Sequence, residues 1–135
     1  MHQLVNYQDY RILLVDDSGP MLNLLQLYLE QSGFIVKSTT SAEQAIKMVE
    51  REEVDLLISD IFMPQMTGFE LSRKLKNKIP VILITAGESD ELQENIADLS
   101  DAFLHKAIGR EQLVQAVKKA IDRWKMTDDL QKIKR

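Results

Sequence analysis

The stretch ILLVDDSGP, residues 12–20, decides the fold because it joins an apolar run directly to two adjacent acids. A strand that is apolar throughout must be covered on both faces, which is the situation of a parallel sheet with helices on each side. Asp16 and Asp17 follow where such a strand would end, and their negative charges repel each other. The stretch therefore predicts a buried parallel strand with a charged site at its carboxyl end.

The same alternation continues along the chain, since short Ile-, Val- and Leu-rich runs are separated by segments with apolar residues at helical spacing. Pro20 at a helix start, Gly33 after a helix end and Ser41 as a helix N-cap support this interpretation. The predicted strands are 11–16, 34–38, 54–60, 79–85 and 102–105, and the predicted helices are 20–31, 42–51, 68–76, 90–99 and 110–125. This order predicts an α/β fold with a doubly wound, five-stranded parallel sheet.

Length and composition limit the possible functions. The 135 residues fit one domain, predicted over 1–125, followed by a polar tail or the start of a linker at 126–135. A net charge of -4 argues against direct nucleic-acid binding, and the absence of cysteine excludes disulfides and thiolate zinc sites. We expect a cytoplasmic protein without membrane association, because no signal peptide is evident and no apolar run approaches the ~20 residues that span a bilayer.

Functional residues are expected at the carboxyl ends of the strands, where doubly wound sheets bind their ligands. Those ends carry Asp16 and Asp17, then Asp60, Thr85 and Lys106. Several carboxylates in one crevice favour a bound cation, and oxygen ligands without His or Cys favour Mg²⁺. Lys106 opposite the acids would suit a phosphoryl group. An Asp pair before a helix is otherwise most often a capping feature.

Other phosphate sites fit these residues less well. A flavin-type site would require a Gly-, Ser- and Thr-rich loop, whereas the loop here is DDSGP. A P-loop is excluded because the chain has no GxxxxGK[ST] motif. A phosphatase of the haloacid dehalogenase type would need a second Asp two residues after the first, but Phe62 stands there.

The chain resembles the receiver domain of two-component response regulators, including the chemotaxis response regulator, over roughly residues 10–125. Four blocks match in order and spacing: VDDS at 15–18, SDIFMPQMTGFEL at 59–71, ITA at 84–86 and FLHK at 103–106. The resemblance implies a flavodoxin-like sheet with strand order 2-1-3-4-5.

The resemblance also implies roles for individual residues. Asp60 would accept a phosphoryl group, and Mg²⁺ would be bound by Asp16, Asp17, Asp60 and the backbone carbonyl of Phe62. Lys106 and Thr85 would contact the phosphoryl oxygens, and Phe103 would be the switch aromatic that turns inward as Thr85 moves. Gly68 would relieve a backbone constraint in the loop after Asp60.

The implied partners are a sensor histidine kinase or phosphotransfer protein and a downstream output domain or protein. The chain would be no enzyme beyond catalysing its own phosphorylation and dephosphorylation. The alternative is a pseudo-receiver, which would use the same fold for docking without phosphorylation.

Two features concern the end of the domain. Ala107 replaces the proline that usually follows the family's lysine, and a trans peptide is predicted there because a cis bond before Ala would cost ~2.5–4 kcal/mol. The predicted fourth helix is in a region that is about one residue shorter than in the chemotaxis protein. The last predicted helix should place Leu113, Val114, Val117, Ile121 and Trp124 towards the sheet. Its Lys118, Asp122 and Arg123 would then serve charged contacts in a weak, phosphorylation-enhanced homodimer.

Overall fold

The computed structural model describes residues 6–75, 77–85, 102–105 and 108–133, without the side chains of Phe103 and of residues 128–133. Its elements, in chain order, are a short 3-10 helix Tyr7–Asp9, β1 Arg11–Val15, α1 Gly19–Gln31, β2 Ile35–Thr39, α2 Ala42–Glu50, β3 Leu56–Asp60, α3 Gly68–Leu75, β4 Val81–Thr85, β5 Ala102–His105 and α4 Arg110–Ile133. The predicted helix at 90–99 lies outside the described residues.

The five strands form one parallel sheet with the order β2-β1-β3-β4-β5, which confirms the predicted fold and strand order. All residues of β3 and β4 are buried, whereas β2 at the edge is mostly exposed. Chain reversal between parallel strands requires crossover connections, and the helices supply them on both faces.

Two apolar layers cover the two faces of the sheet. One layer contains buried residues of α1 and α4 with alternate residues of β1, β3 and β4. The other contains residues of α2 and α3 with the intervening residues of the same strands. Leu13 and Ile12, for example, are fully buried in opposite layers, which explains why the strand sequences are apolar without alternation.

The predicted strand ends differ from the structure by one or two residues. β1 ends at Val15, β2 begins at Ile35 and ends at Thr39, and β3 begins at Leu56. β4 begins at Val81 rather than at residue 79, because Pro80 has no N–H to donate to a sheet ladder.

The helix ends show the signals used to predict them. Ser41 caps α2 by accepting a hydrogen bond from the Gln44 N–H at 3.2 Å. Gly33, at φ 93°, terminates α1, and the Phe34 N–H then bonds to the Leu29 carbonyl at 3.1 Å. Smaller differences are that α1 begins at Gly19 and α2 ends at Glu50, while α3 is described as far as Leu75.

Helix α4 corrects the predicted end at residue 125, because it continues to Ile133. The sequence from 110 onwards contains no Gly or Pro, so it offers no strong stop signal. The residues predicted as a tail or linker are therefore helical as far as Ile133.

No helix in the described ranges combines the length and apolarity needed to cross a membrane.

Candidate phosphoacceptor and metal site

The carboxyl edge of the sheet brings three acids together. Asp16 and Asp17 follow β1, and Asp60 is the last residue of β3, the strand that pairs with β1. Each acid offers a carboxylate oxygen, and these oxygens lie within 4.8 Å of one another. This convergence is the geometry expected for groups that share one cation.

The three acids differ in burial. Asp16 and Asp60 are only 3% and 4% exposed, whereas Asp17 is open to solvent. The Oδ1 atom of Asp60 is itself buried. Placing negative charges this close in a partly dry site is costly unless positive charge is near, and oxygen donors of this type suit Mg²⁺. The donor set therefore fits the predicted metal.

Helix capping accounts for only part of the acidic pair. The Ser18 N–H donates to Oδ1 of Asp16 at 2.9 Å, which turns the chain into α1. Ser18 is the N-cap of α1, but its side chain makes no capping hydrogen bond. The side chain of Asp17 makes no hydrogen bond with any residue in the described ranges. The turn therefore fixes Asp16 and leaves the exposed Asp17 carboxylate available for a ligand.

The loop after Asp60 is held by close backbone contact between β3 and α3. The Gly68 N–H donates to the Ile61 carbonyl at 2.7 Å. A Cβ on Gly68 would lie 2.8 Å from the Ile61 Cα and closer still to the Asp60 carbonyl oxygen. Gly68 is therefore required for close approach, and not for a positive φ angle, which among described glycines occurs only at Gly33.

Three further residues support this loop and were not predicted. Thr67 caps the start of α3, because its Oγ1 accepts a hydrogen bond from the Glu70 N–H at 3.1 Å and its hydroxyl donates to the Glu70 carboxylate at 3.4 Å. The signal was present in the sequence as TGFE. Ser59 is fully buried and its hydroxyl donates to the Asp60 carbonyl at 2.9 Å. These bonds fix the backbone on both sides of the acid.

The remaining predicted site residues are only partly described. Thr85 ends β4 at the same edge and is fully buried; it pairs in register with the exposed His105. Phe103 lies in β5 opposite Leu83, but its side chain is not described. Lys106 and Ala107 lie outside the described residues. The roles of Lys106 and Phe103 and the trans peptide remain predictions.

A crevice of about 310 Å³ opens beside Asp17. The loops after β2 and β3 form its walls, including Ser41, Met63 and Met66. Phe62, which directly precedes Met63 in the loop after β3, exposes 54% of its surface. Asp17 therefore stands beside an open space that is lined by both polar and apolar residues.

With this fold and site described, the chain can be compared with known proteins. The family model described as "response regulator receiver domain" matches residues 12–118, so the chain belongs to that family. It is a receiver domain of the kind found in two-component response regulators.

Similar proteins with curated descriptions are response regulators. The chain is 32% identical to the transcriptional regulatory protein GlrR of Escherichia coli K12, over 87% of this chain and 28% of that protein. It is 30% identical to the response regulator MprA of Mycobacterium ulcerans, over 88% of this chain and 53% of that protein. The chain thus spans about a quarter to a half of the length of these relatives.

Solved structures agree with the family. The signal receiver domain of a putative Luxo repressor protein from Vibrio parahaemolyticus has a TM-score of 0.81 at 27% identity, covering 90% of this chain and 96% of that chain. A CheY-like receiver domain from Methanospirillum hungatei has a TM-score of 0.79 at 27% identity, covering 87% and 98%.

Proposed function

We propose that this receiver domain accepts a phosphoryl group on Asp60 from a phosphohistidine of a sensor kinase or phosphotransfer protein. The observation that carries the proposal is the convergence of Asp16, Asp17 and Asp60 within 4.8 Å at the carboxyl edge of a receiver fold. Asp60 is the acid that ends the central strand β3, which lies between β1 and β4.

Mg²⁺ is the proposed cofactor. Asp16, Asp17 and Asp60 would bind it together with the backbone carbonyl of Phe62. When bound, the ion neutralises the clustered charges and the phosphoryl oxygens. The Ser18 N–H keeps Asp16 oriented, and the Gly68 contact keeps the Phe62 loop beside Asp60.

In the transfer step, a carboxylate oxygen of Asp60 attacks phosphorus and forms a P–O bond, giving an acyl phosphate. The N–P bond of the donor breaks and its electron pair stays on the ring nitrogen. The donor ring leaves as neutral imidazole when its other nitrogen already carries a proton, and otherwise it takes up one proton from solvent. The domain contributes mainly position and electrostatics, as is general for phosphoryl transfer. It would turn over no other substrate.

The change of state would follow from new contacts of the phosphoryl group. Lys106 would pair with one oxygen and Thr85 would donate a hydrogen bond to another, with Phe103 turning inward. These movements would alter the surface offered to an output domain or protein. Relatives named as transcriptional regulators suggest that such an output domain is joined to related receivers. A weak homodimer that tightens on phosphorylation is part of this proposal.

The test is incubation with acetyl phosphate, with Mg²⁺ or with EDTA, followed by intact-mass measurement. We expect one added phosphoryl group in the wild type with Mg²⁺, and none with EDTA. Asp60→Asn should abolish the uptake, whereas Asp9→Asn, which changes an exposed acid in the 3-10 helix, should not affect it. Peptide mapping that placed the phosphoryl group on another residue would contradict the assignment. A folded wild type with no uptake would support the pseudo-receiver instead.

A further inference from the structure

The segment before β1 contacts the second half of α4. The Tyr7 hydroxyl donates to both carboxylate oxygens of Asp122, at 2.8 and 3.0 Å. The Lys118 ammonium lies 5.3 Å from the centre of the Tyr7 ring, within cation–π range. One aromatic side chain thus contacts both a cation and an anion one helical turn apart.

The same segment is anchored independently of Tyr7. Asn6 caps the 3-10 helix by accepting the Gln8 N–H, and the Gln8 side chain lies against Gly33 in the turn between α1 and β2. Tyr10 packs on the layer between the sheet and α1 and α4. Tyr7 is therefore presented to α4 from a segment that is already fixed on the domain.

Tyr7 contacts α4 at the point where the helix residues change from buried to exposed. Leu113, Val117, Ala120 and Ile121 are buried, but Asp122 and Arg123 are exposed and Trp124 is only half-buried. The prediction that Lys118 and Asp122 serve contacts with another molecule is thus modified, because both contact Tyr7 within the chain. The Tyr7 contact holds α4 just beyond these buried residues, before the helix continues to Ile133.

These contacts lie at the limits of the family's common region. The match to the receiver family covers residues 12–118, so Tyr7 precedes it and Asp122 follows it. The hydrogen bond between Tyr7 and Asp122 therefore joins segments on both sides of the matched region, and Lys118 is the last residue of that region.

We propose that residues 6–10 form a strap that holds the distal half of α4 on the domain, with Tyr7 as the positioning residue. Without the strap, α4 from residue 122 onwards would lose its contact with Tyr7 and would open locally more often. The part of α4 from residue 122 to Ile133 would then be held in a less defined direction relative to the sheet.

Hydrogen exchange followed by mass spectrometry of the whole chain tests the strap. Tyr7→Phe removes the hydroxyl and keeps the ring, and we expect amide exchange in residues 119–133 to accelerate about 3- to 10-fold. Tyr7→Ala should give a larger increase. Exchange in β1 and β3 should not change, because these strands are buried in the sheet.

Tyr10→Phe is the matched control. It removes a hydroxyl from the same segment, and this hydroxyl does not bond to Asp122 in the described part of the chain. The double variant Tyr7→Phe/Asp122→Ala should exchange no faster than Asp122→Ala, since the two residues share one interaction. Unchanged exchange in both Tyr7 variants, or equal acceleration in Tyr10→Phe, would overturn the strap.

Discussion

Acidic residues have different surroundings at the two ends of the strands, the carboxyl edge and the amino edge of the sheet. At the carboxyl edge, Asp16, Asp17 and Asp60 are placed side by side, so the fold itself brings like charges together. At the amino edge, the Asp55 carboxylate lies 2.9 Å from Nε of Arg11 and also accepts the Arg11 backbone N–H. The amino edge satisfies its charges locally, whereas the carboxyl edge brings together three acids that could hold a metal ion.

The pKa values at the amino edge show this local satisfaction. Burial alone would raise the pKa of Asp55, but the hydrogen bonds and positive charge of Arg11 outweigh it and lower that pKa below its usual value. The hydrogen bond to Asp122 raises the pKa of the Tyr7 hydroxyl, with smaller contributions from desolvation and the charge of Asp122.

The largest expected effects on stability concern two glycines, Gly68 near the carboxyl edge and Gly33 near the amino edge. Gly68→Ala should lower the free energy of unfolding by about 2–4 kcal/mol, because the added Cβ would meet backbone atoms of Asp60 and Ile61 that cannot move aside cheaply. Gly33→Ala should lower the free energy of unfolding by about 1–2 kcal/mol. The cost comes from the positive φ of residue 33 and from the contact of the added Cβ with the flexible side chain of Gln8. Urea unfolding measures both.

Gly19→Ala is the control for these substitutions, since nothing lies within 4 Å of its added Cβ. Its free energy of unfolding should stay within about 0.5 kcal/mol of the wild type. A Gly68→Ala protein as stable as Gly19→Ala would contradict the close backbone packing between Gly68 and the loop after Asp60.

A smaller effect concerns the charges of the carboxyl edge. Asp17→Asn should raise the free energy of unfolding without Mg²⁺ by up to about 1 kcal/mol, because it removes one of three clustered charges. The gain should shrink as salt is added, since Asp17 is exposed. The same change should weaken Mg²⁺ binding at least about tenfold, which titration calorimetry measures. A destabilised Asp17→Asn protein at low salt would contradict the proposed repulsion.

An effect of similar size, with the opposite sign, is expected at the amino edge. Asp55→Asn should lower the free energy of unfolding by no more than about 1 kcal/mol, because the side chains of Arg11 and Asp55 are 44% and 33% exposed. The pKa of Asp55 is lowered in the folded state, so its stabilisation is present above about pH 4 and is lost as the pH falls through the folded pKa. Wild type and Asp55→Asn should therefore converge in urea unfolding as the pH falls below about 4. A constant difference between them from pH 7 to pH 2 would exclude the ion pair as its cause.

The site could be predicted from sequence as far as strand ends and family blocks allow. Asp16, Asp17 and Asp60 were located because the carboxyl ends of parallel strands must meet at one edge. Their burial could not be predicted in the same way. Asp16 and Asp17 are neighbours in sequence, yet Asp16 is buried, with 3% of its surface exposed, and Asp17 is exposed. The turn at Ser18 decides which carboxylate points inward.

The sequence by itself determined the apolar strand runs, the Gly33 and Ser41 helix signals and the order of elements, because these depend on residues close in the chain. Only the tertiary structure decided why residue 68 must be Gly and where the strap binds α4. Gly68 is constrained by backbone atoms of another element, and Tyr7 meets Asp122 across 115 positions. Contacts of this kind depend on how whole elements pack, and no local pattern of residue types specifies them.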